Sequence, residues 1–216
     1  IGEPTGLRPI NRHKGILMER LQVQGQSGHS SNPALGRNAL EAMHEMISAL
    51  LQFRGQLQQR YRDPHFAIDV PTLNLGSIHG GDNPNRICGH CGLEFDVRML
   101  PGMKSVEVRN DIRALLEPIA TRHRVEFTFT PLFAGTEAFA NDNSELLHVC
   151  ETLTGHSGQS VAFGTEAPFL QQLGMDTLVL GPGSIDVAHQ PNEYMALDQV
   201  QPCITLLQSL VRRFCL

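Results

Sequence analysis

From position 91 to position 99 every second side chain is apolar: Cys91, Leu93, Phe95, Val97 and Met99. His90, Glu94, Asp96 and Arg98 fall on the alternate positions. A period of two puts these sets on opposite sides of an extended chain, so residues 87–99 predict a strand half in a core and half in water. One such strand is not stable alone; it needs paired neighbours and a cover for its apolar side. The neighbours are at hand. Leu21 and Val23 alternate with Gln22 and Gln24 in residues 15–24, Leu73 and Leu75 do so in residues 72–79, and Val125, Phe127 and Phe129 alternate with Glu126, Thr128 and Thr130. Two amphipathic stretches supply the cover. One of about four turns carries Leu40, Met43, Ile47 and Leu50; the other carries Val108, Ile112, Leu115, Leu116 and Ile119. The order over residues 15–130 is β-α-β-β-α-β, a ferredoxin-like antiparallel sheet with two helices on one face.

Polar segments rich in Gly, Ser, Asn and Pro at 25–37 and 80–85 read as loops. Past Pro131 the rhythm changes. A helix over 144–153, a short strand at 160–163 and a helix near 166–173 lead to Thr177-Leu178-Val179-Leu180, which is apolar on both faces like a buried parallel strand. A last helix has Val200, Ile204, Leu207, Val211 and Phe214 as its apolar face. This αβαβα order predicts part of a doubly wound α/β sheet, with about two strands where more are needed. The chain opens Ile1-Gly2-Glu3-Pro4-Thr5 without an initiating Met, and the remaining strands are expected from residues that precede it. The expected organisation is an inserted layer at 13–131 within an α/β domain made of 1–12 and 132–216.

Composition closes off other classes. Lys plus Arg number 17 against 22 Asp plus Glu, a formal charge of −5 with no basic run, which disfavours nucleic acid as a partner. No apolar run is long enough for a bilayer, so no membrane partner is expected. Five cysteines at irregular spacing make no disulfide framework, and the expected compartment is the cytoplasm.

Several signatures fail on inspection. Gly181-Pro182-Gly183 is followed by Asp186 where a dinucleotide fingerprint has glycine, and His44-Glu45 lacks the second His of a zincin helix. Gly155-His156-Ser157-Gly158-Gln159 departs from the nucleophile elbow at its last residue. Cys88-Gly89-His90-Cys91 has the spacing of a redox pair, but it sits at the start of a strand, where the two side chains face opposite sides. His189 lies in a polar loop beyond the Thr177–Leu180 run, where open α/β sheets place their sites; position alone does not separate a zinc ligand from a surface imidazole. His29 occupies a loop of small residues, Glu3 the end of an extended segment. Arg98 faces water with Glu94 and Asp96, suited either to clamp a substrate carboxylate or to pair with its acidic neighbours.

Taken together, Gly2-Glu3-Pro4-Thr5, Gly25-Gln26-Ser27-Gly28-His29-Ser30-Ser31, Asn85-Arg86-Ile87-Cys88, Asp96-Val97-Arg98, Gly164-Thr165-Glu166-Ala167-Pro168-Phe169 and Leu180-Gly181-Pro182-Gly183 through Ala188-His189-Gln190-Pro191 form a recognisable series. The chain resembles the C-terminal portion of the co-catalytic zinc amidohydrolase family that contains succinyl-diaminopimelate desuccinylase, aminoacylases and glutamate carboxypeptidases. The resemblance implies a zinc-peptidase-like α/β catalytic domain and a lid through which a homodimer forms. It implies two Zn2+ per active site, with Co2+ able to substitute, and assigns Glu3 and His189 as metal ligands. It makes His29 a catalytic donor to the developing oxyanion in the partner subunit's site, and Asn85, Arg98 and Thr165 substrate-binding residues. The implied reaction is removal of the acetyl group from N-acetyl-L-ornithine, in arginine biosynthesis. The family's His-x-Asp element and Glu-Glu pair, which supply further ligands and the general base, have no counterpart in these residues. The chain is therefore expected to be inactive by itself. Three alternatives stay open: a deacylase of another N-acyl amino acid, a non-catalytic dimerising module, and a thiol oxidoreductase built on Cys88 and Cys91.

Overall fold

The computed structural model describes residues 1–216. In chain order the elements are β1 (Ile10–His13), β2 (Gly15–Gln24), α1 (Ala39–Arg60), β3 (Thr72–Gly80), β4 (His90–Met99), α2 (Ser105–His123), β5 (Glu126–Pro131), β6 (Phe139–Ala140), α3 (Glu145–Thr154), β7 (Gln159–Val161), α4 (Ala167–Gln172) and α5 (Val200–Phe214). They divide into two compact units, residues 15–137 and residues 1–14 with 138–216.

In the unit of residues 15–137, the alternation of β4 is realised: Cys91, Leu93, Phe95, Val97 and Met99 are buried. β4 pairs antiparallel with β2 from Gly15 opposite Met99 to Gln24 opposite His90, and β3 and β5 complete the sheet in the order β3-β4-β2-β5. Every pairing is antiparallel, and α1 and α2 pack on the apolar face. This is the ferredoxin-like arrangement. One bulge intervenes. Between Leu75 and Ser77 the β3–β4 register slips by one residue, which sets Ile78 opposite the buried Leu93; on this outer strand Ile78 is nonetheless 46% exposed.

The helix over the first crossover is longer than the periodicity suggested, because Asn38 caps it and nothing stops it until Tyr61. Asn38 Oδ1 accepts from Leu40 N at 3.0 Å and Glu41 N at 3.4 Å. The buried stripe also differs. Ala39, Met43, Met46, Leu50, Phe53 and Leu57 face the sheet, while Leu40 is 47% exposed. Glu19 sits among these apolar groups, on β2 between Leu17 and Leu21. Its Oε1 accepts from Arg109 Nε of α2 at 2.8 Å and its Oε2 has no partner. Burial pushes its carboxyl above the usual range, and the Arg109 hydrogen bond and charge oppose that shift.

In the other unit three short strands form a mixed sheet, β6-β1-β7, with β1 antiparallel to β6 and parallel to β7. The expected strand at 160–163 is β7, which begins one residue earlier and ends two residues earlier. The Thr177–Leu180 run is not a parallel strand. Only Val179 bridges, antiparallel to Ile10, with N–H···O distances of 2.8 and 3.1 Å. Its apolar side chains are buried because α3 covers Leu178 and β1 covers Val179. α5 also departs from expectation. Leu206 is its buried residue, whereas Ile204, Leu207, Val211 and Phe214 are exposed. No helix is long and apolar enough to cross a membrane.

The packing assigns unequal weights to neighbouring positions on α1. Met46→Ala is expected to lower the unfolding free energy by about 2–5 kcal/mol through cavity formation, against less than about 1 kcal/mol for Leu40→Ala. Urea denaturation with an unchanged m-value checks the difference.

Candidate functional site

The loop that carries His29 is a folded-back ribbon. Gln26 and Arg37 exchange backbone hydrogen bonds of 2.9 Å, an approach that Gly25 permits because any Cβ there would lie 2.0 Å from the Arg37 carbonyl oxygen. The loop then pairs with residues 85–87. Ser30 N donates to Asn85 O at 3.1 Å, Ile87 N donates to Gly28 O at 2.8 Å, and His29 bridges Arg86. His29 and Asn85 are thereby brought together on two laced loops, both exposed. His29 Nδ1 accepts from Ser31 N at 3.3 Å and lies 2.8 Å from Ser31 Oγ. With Nδ1 accepting, the neutral ring carries its proton on Nε2, which has no partner in the chain: a donor available to a ligand.

Arg98 is elsewhere. It lies on the water-facing side of β4, opposite Ile16 and Thr72, eight positions from His90. At strand spacing that separation is roughly 27 Å, so one copy of the chain does not place His29 and Arg98 around one small molecule. Arg98 Nε donates to Asp96 Oδ1 at 3.0 Å, the acidic-neighbour pairing, and both side chains stay about a quarter exposed. Asp96 Oδ2 is buried without a partner.

In the other unit, Glu3 and the Gly181-Pro182-Gly183 turn are zipped together. Gly6 N donates to Gly183 O at 2.7 Å, Leu7 N donates to Gly181 O at 2.9 Å, and Thr5 bridges Ser184. A Cβ at 181 would sit 2.6 Å from the Glu3 carbonyl oxygen, so glycine is required there for the two segments to meet. His189 follows in an exposed loop with φ +60°, its N–H held by Glu193 Oε2 at 2.9 Å. Thr165 is buried. Its Oγ1 lies 3.1 Å from His13 Nε2 and accepts from Ala167 N at 3.1 Å, which anchors the first turn of α4.

His13 was not singled out from the sequence, since nothing in its flanks marks it. It is fully buried, rests on Phe139 with ring centroids 5.4 Å apart, and its Nδ1 donates to Lys14 O at 2.9 Å. Burial pushes its pKa below the ordinary 6.5, so it is a neutral ring bridging β1 to the Thr165 turn. The cysteine pair is also placed differently from expectation. Cys88 precedes β4 rather than starting it, and both sulfurs enter the same core, with Cys88 Sγ 3.1 Å from His90 O. Burial, reinforced by Cys88, raises the Cys91 thiol pKa, the reverse of what an attacking thiolate needs.

The donors in hand do not complete a metal site. Nowhere do three His, Cys, Asp or Glu side chains stand close enough to share an ion, and Glu3 with His189 would supply two donors at most.

The larger unit is thus a four-stranded antiparallel sheet under two helices, with a histidine-bearing loop at one end and an arginine on its wet face. The family described as Peptidase dimerisation domain matches residues 11–124, and the chain belongs to it. Among curated relatives, acetylornithine deacetylase of Vibrio vulnificus (strain CMCP6) is 47% identical over the whole chain, and that of Edwardsiella ictaluri (strain 93-146) is 49% identical. The chain spans 57% and 56% of their lengths. The fold is shared with a tripeptidase from Staphylococcus aureus (TM-score 0.69, 18% identity, 99% of this chain and 55% of that one). It is shared equally with an aminopeptidase from Bacillus cereus (TM-score 0.68, 17% identity, 98% and 54%).

The buried His13 has a titration consequence. The unfolded chain binds a proton near pH 6.5 that the folded chain resists, so this group's contribution to stability falls as pH drops below that value. Stability measured by urea unfolding from about pH 7.5 to 5.5 is expected to slope less in His13→Gln than in the parent. Thr165→Val, which leaves His13 Nε2 with only the Thr165 backbone N–H at 3.3 Å and strips Ala167 N of its side-chain acceptor, is expected to cost about 1–3 kcal/mol at neutral pH.

Proposed function

We propose that these residues act within a metal-dependent amidohydrolase that cleaves N-acetyl-L-ornithine to ornithine and acetate, working as a homodimer in the cytosol. The observation that carries this is the near-half identity, along the whole chain, to relatives named acetylornithine deacetylase. Because the chain spans little more than half of those relatives, the 216 residues alone are expected to be inactive. Glu3 and His189 each contribute one donor to a two-zinc centre completed by residues outside them. Zinc, or cobalt in its place, supplies a polarised carbonyl and a water of lowered pKa when bound.

The chain's own residues have separable tasks in this reading. His29 presents its Nε2–H where negative charge grows on the amide oxygen, and Asn85, laced to the same loop, binds an adjoining polar group. Arg98, oriented by Asp96, offers its terminal nitrogens to the substrate carboxylate. Thr165 Oγ1 is already engaged by His13 and Ala167, so Thr165 acts by holding the Glu166 turn in place. The separation of His29 from Arg98 supports a composite site: His29 and Asn85 from one subunit serve the Arg98 of the other. β3, an outer strand of the sheet, is the edge on which a second copy would add.

Full-length enzyme is expected to hydrolyse N-acetyl-L-ornithine in preference to succinyl-diaminopimelate and N-acetylmethionine, and to lose activity on chelation; preference for either rival overturns the substrate assignment. The composite site has its own test. His29→Ala and Arg98→Ala homodimers are each expected to be nearly inactive. Mixing them as unfolded chains and refolding should restore about a quarter of parental activity, since half the dimers are mixed and each carries one intact site. No recovery means that both residues serve the same subunit's site.

A further inference from the structure

One hollow of about 390 Å³, in the unit of residues 15–137, gathers positive charge from three distant stretches of chain. Arg37 comes from the ribbon before α1, Arg86 from the segment laced to the His29 loop, and Arg122, His123 and Arg124 from the end of α2. The chain as a whole carries a formal charge of −5, so this concentration runs against its average.

Three of these groups are matched by acids. Arg86 Nη1 lies 2.5 Å from Asp82 Oδ2, Arg122 pairs with Glu45, and His123 Nε2 lies 2.7 Å from Glu45 Oε2. Glu41, in the same wall, is engaged by Asn38 Nδ2 at 3.0 Å. Arg37 and Arg124 have no acidic or carbonyl partner for their side chains. Their backbones are nonetheless fixed. Arg37 is clamped to Gln26 by two bonds of 2.9 Å, and Arg124 is held at φ 55° with its N–H on the Ala120 and Thr121 carbonyls. Two arginines without an acidic partner therefore line one concave space from rigid backbone points, with the Glu41 carboxylate, held by the neutral Asn38 amide, in the same wall. Asn38, the cap of the 22-residue α1, lies in the same wall and adds the positive end of that helix.

We propose that this hollow binds a small oxyanion, a metabolite bearing phosphate or carboxylate groups, through Arg37 and Arg124. The planar forks of arginine match both groups bidentately, and the volume suits a small molecule. Ser30, Pro84 and Arg86 of the wall are immediate neighbours of His29 and Asn85, so an occupant also braces the two loops that carry those residues. The proposal stands independently of the deacetylase reading, because binding is measured without turnover.

Calorimetric titration of metal-depleted full-length protein with pyrophosphate, and separately with citrate, tests it. Saturable binding at one site per chain is expected for at least one probe, weakening as salt is raised. Preference for pyrophosphate assigns phosphate chemistry, and preference for citrate assigns carboxylate. Arg37→Gln/Arg124→Gln is expected to weaken binding by about tenfold or more with an unchanged melting temperature. Arg8→Gln/Arg212→Gln, which removes the same charge elsewhere, should leave binding intact. Absence of saturable binding by either probe overturns the proposal. So does equal binding by the Arg37/Arg124 variant, or equal loss in the control.

Discussion

The antiparallel ladder between β2 and β4 is the constraint on which the rest of the larger unit hangs. With Gly15 opposite Met99 and Gln24 opposite His90, both strands commit one face to the core along their whole length. A slip of β2 by one residue would turn Leu17, Leu21 and Val23 outward and bring Met18, Arg20 and Gln22 into the core. The same register decides what the site residues can do. It carries the His29 and Asn85 loops off one end of the sheet and leaves Arg98 near the opposite end, on the wet face. The strand register thus keeps His29 and Asn85 apart from Arg98 within one copy of the chain.

Close backbone approach plays the corresponding part in the other unit. Gly181 lets the turn after Val179 lie against the Glu3 carbonyl, and the hydrogen bonds of Thr5, Gly6 and Leu7 lock the two segments together. His13 extends this order through buried, neutral hydrogen bonding, tying β1 to the Thr165 turn that begins α4. Polar groups are thereby satisfied where the short strands cannot do it alone.

Legibility in the sequence followed the strength of the local period. Strands with one wet and one dry face announced themselves: residues 15–24 were located to the residue, and β4 only lost its first three positions to the Cys88 approach. Where a segment is apolar on both faces the period vanishes. Thr177–Leu180 therefore revealed its burial but not that only Val179 would pair, and antiparallel. α5 misled for a related reason, since several apolar stripes fit one helix and contact alone selects Leu206. The bulge at Gly76 and the bridging role of His13 leave no periodic trace at all. Of the candidate site residues, His29 and Asn85 were legible as motif residues, whereas their lacing through Ser30 and Ile87 was not.

By itself the sequence determined the β-α-β-β-α-β order and the core face of each strand, because these follow from side-chain alternation along the chain. Only the tertiary structure decided which of the candidate residues meet. It joined His29 to Asn85, parted both from Arg98, engaged Thr165 with His13, sank both Cys88 and Cys91 into one core, and converged Arg37 with Arg124. Such meetings depend on strand register and loop closure between residues far apart in sequence, and no local period encodes them.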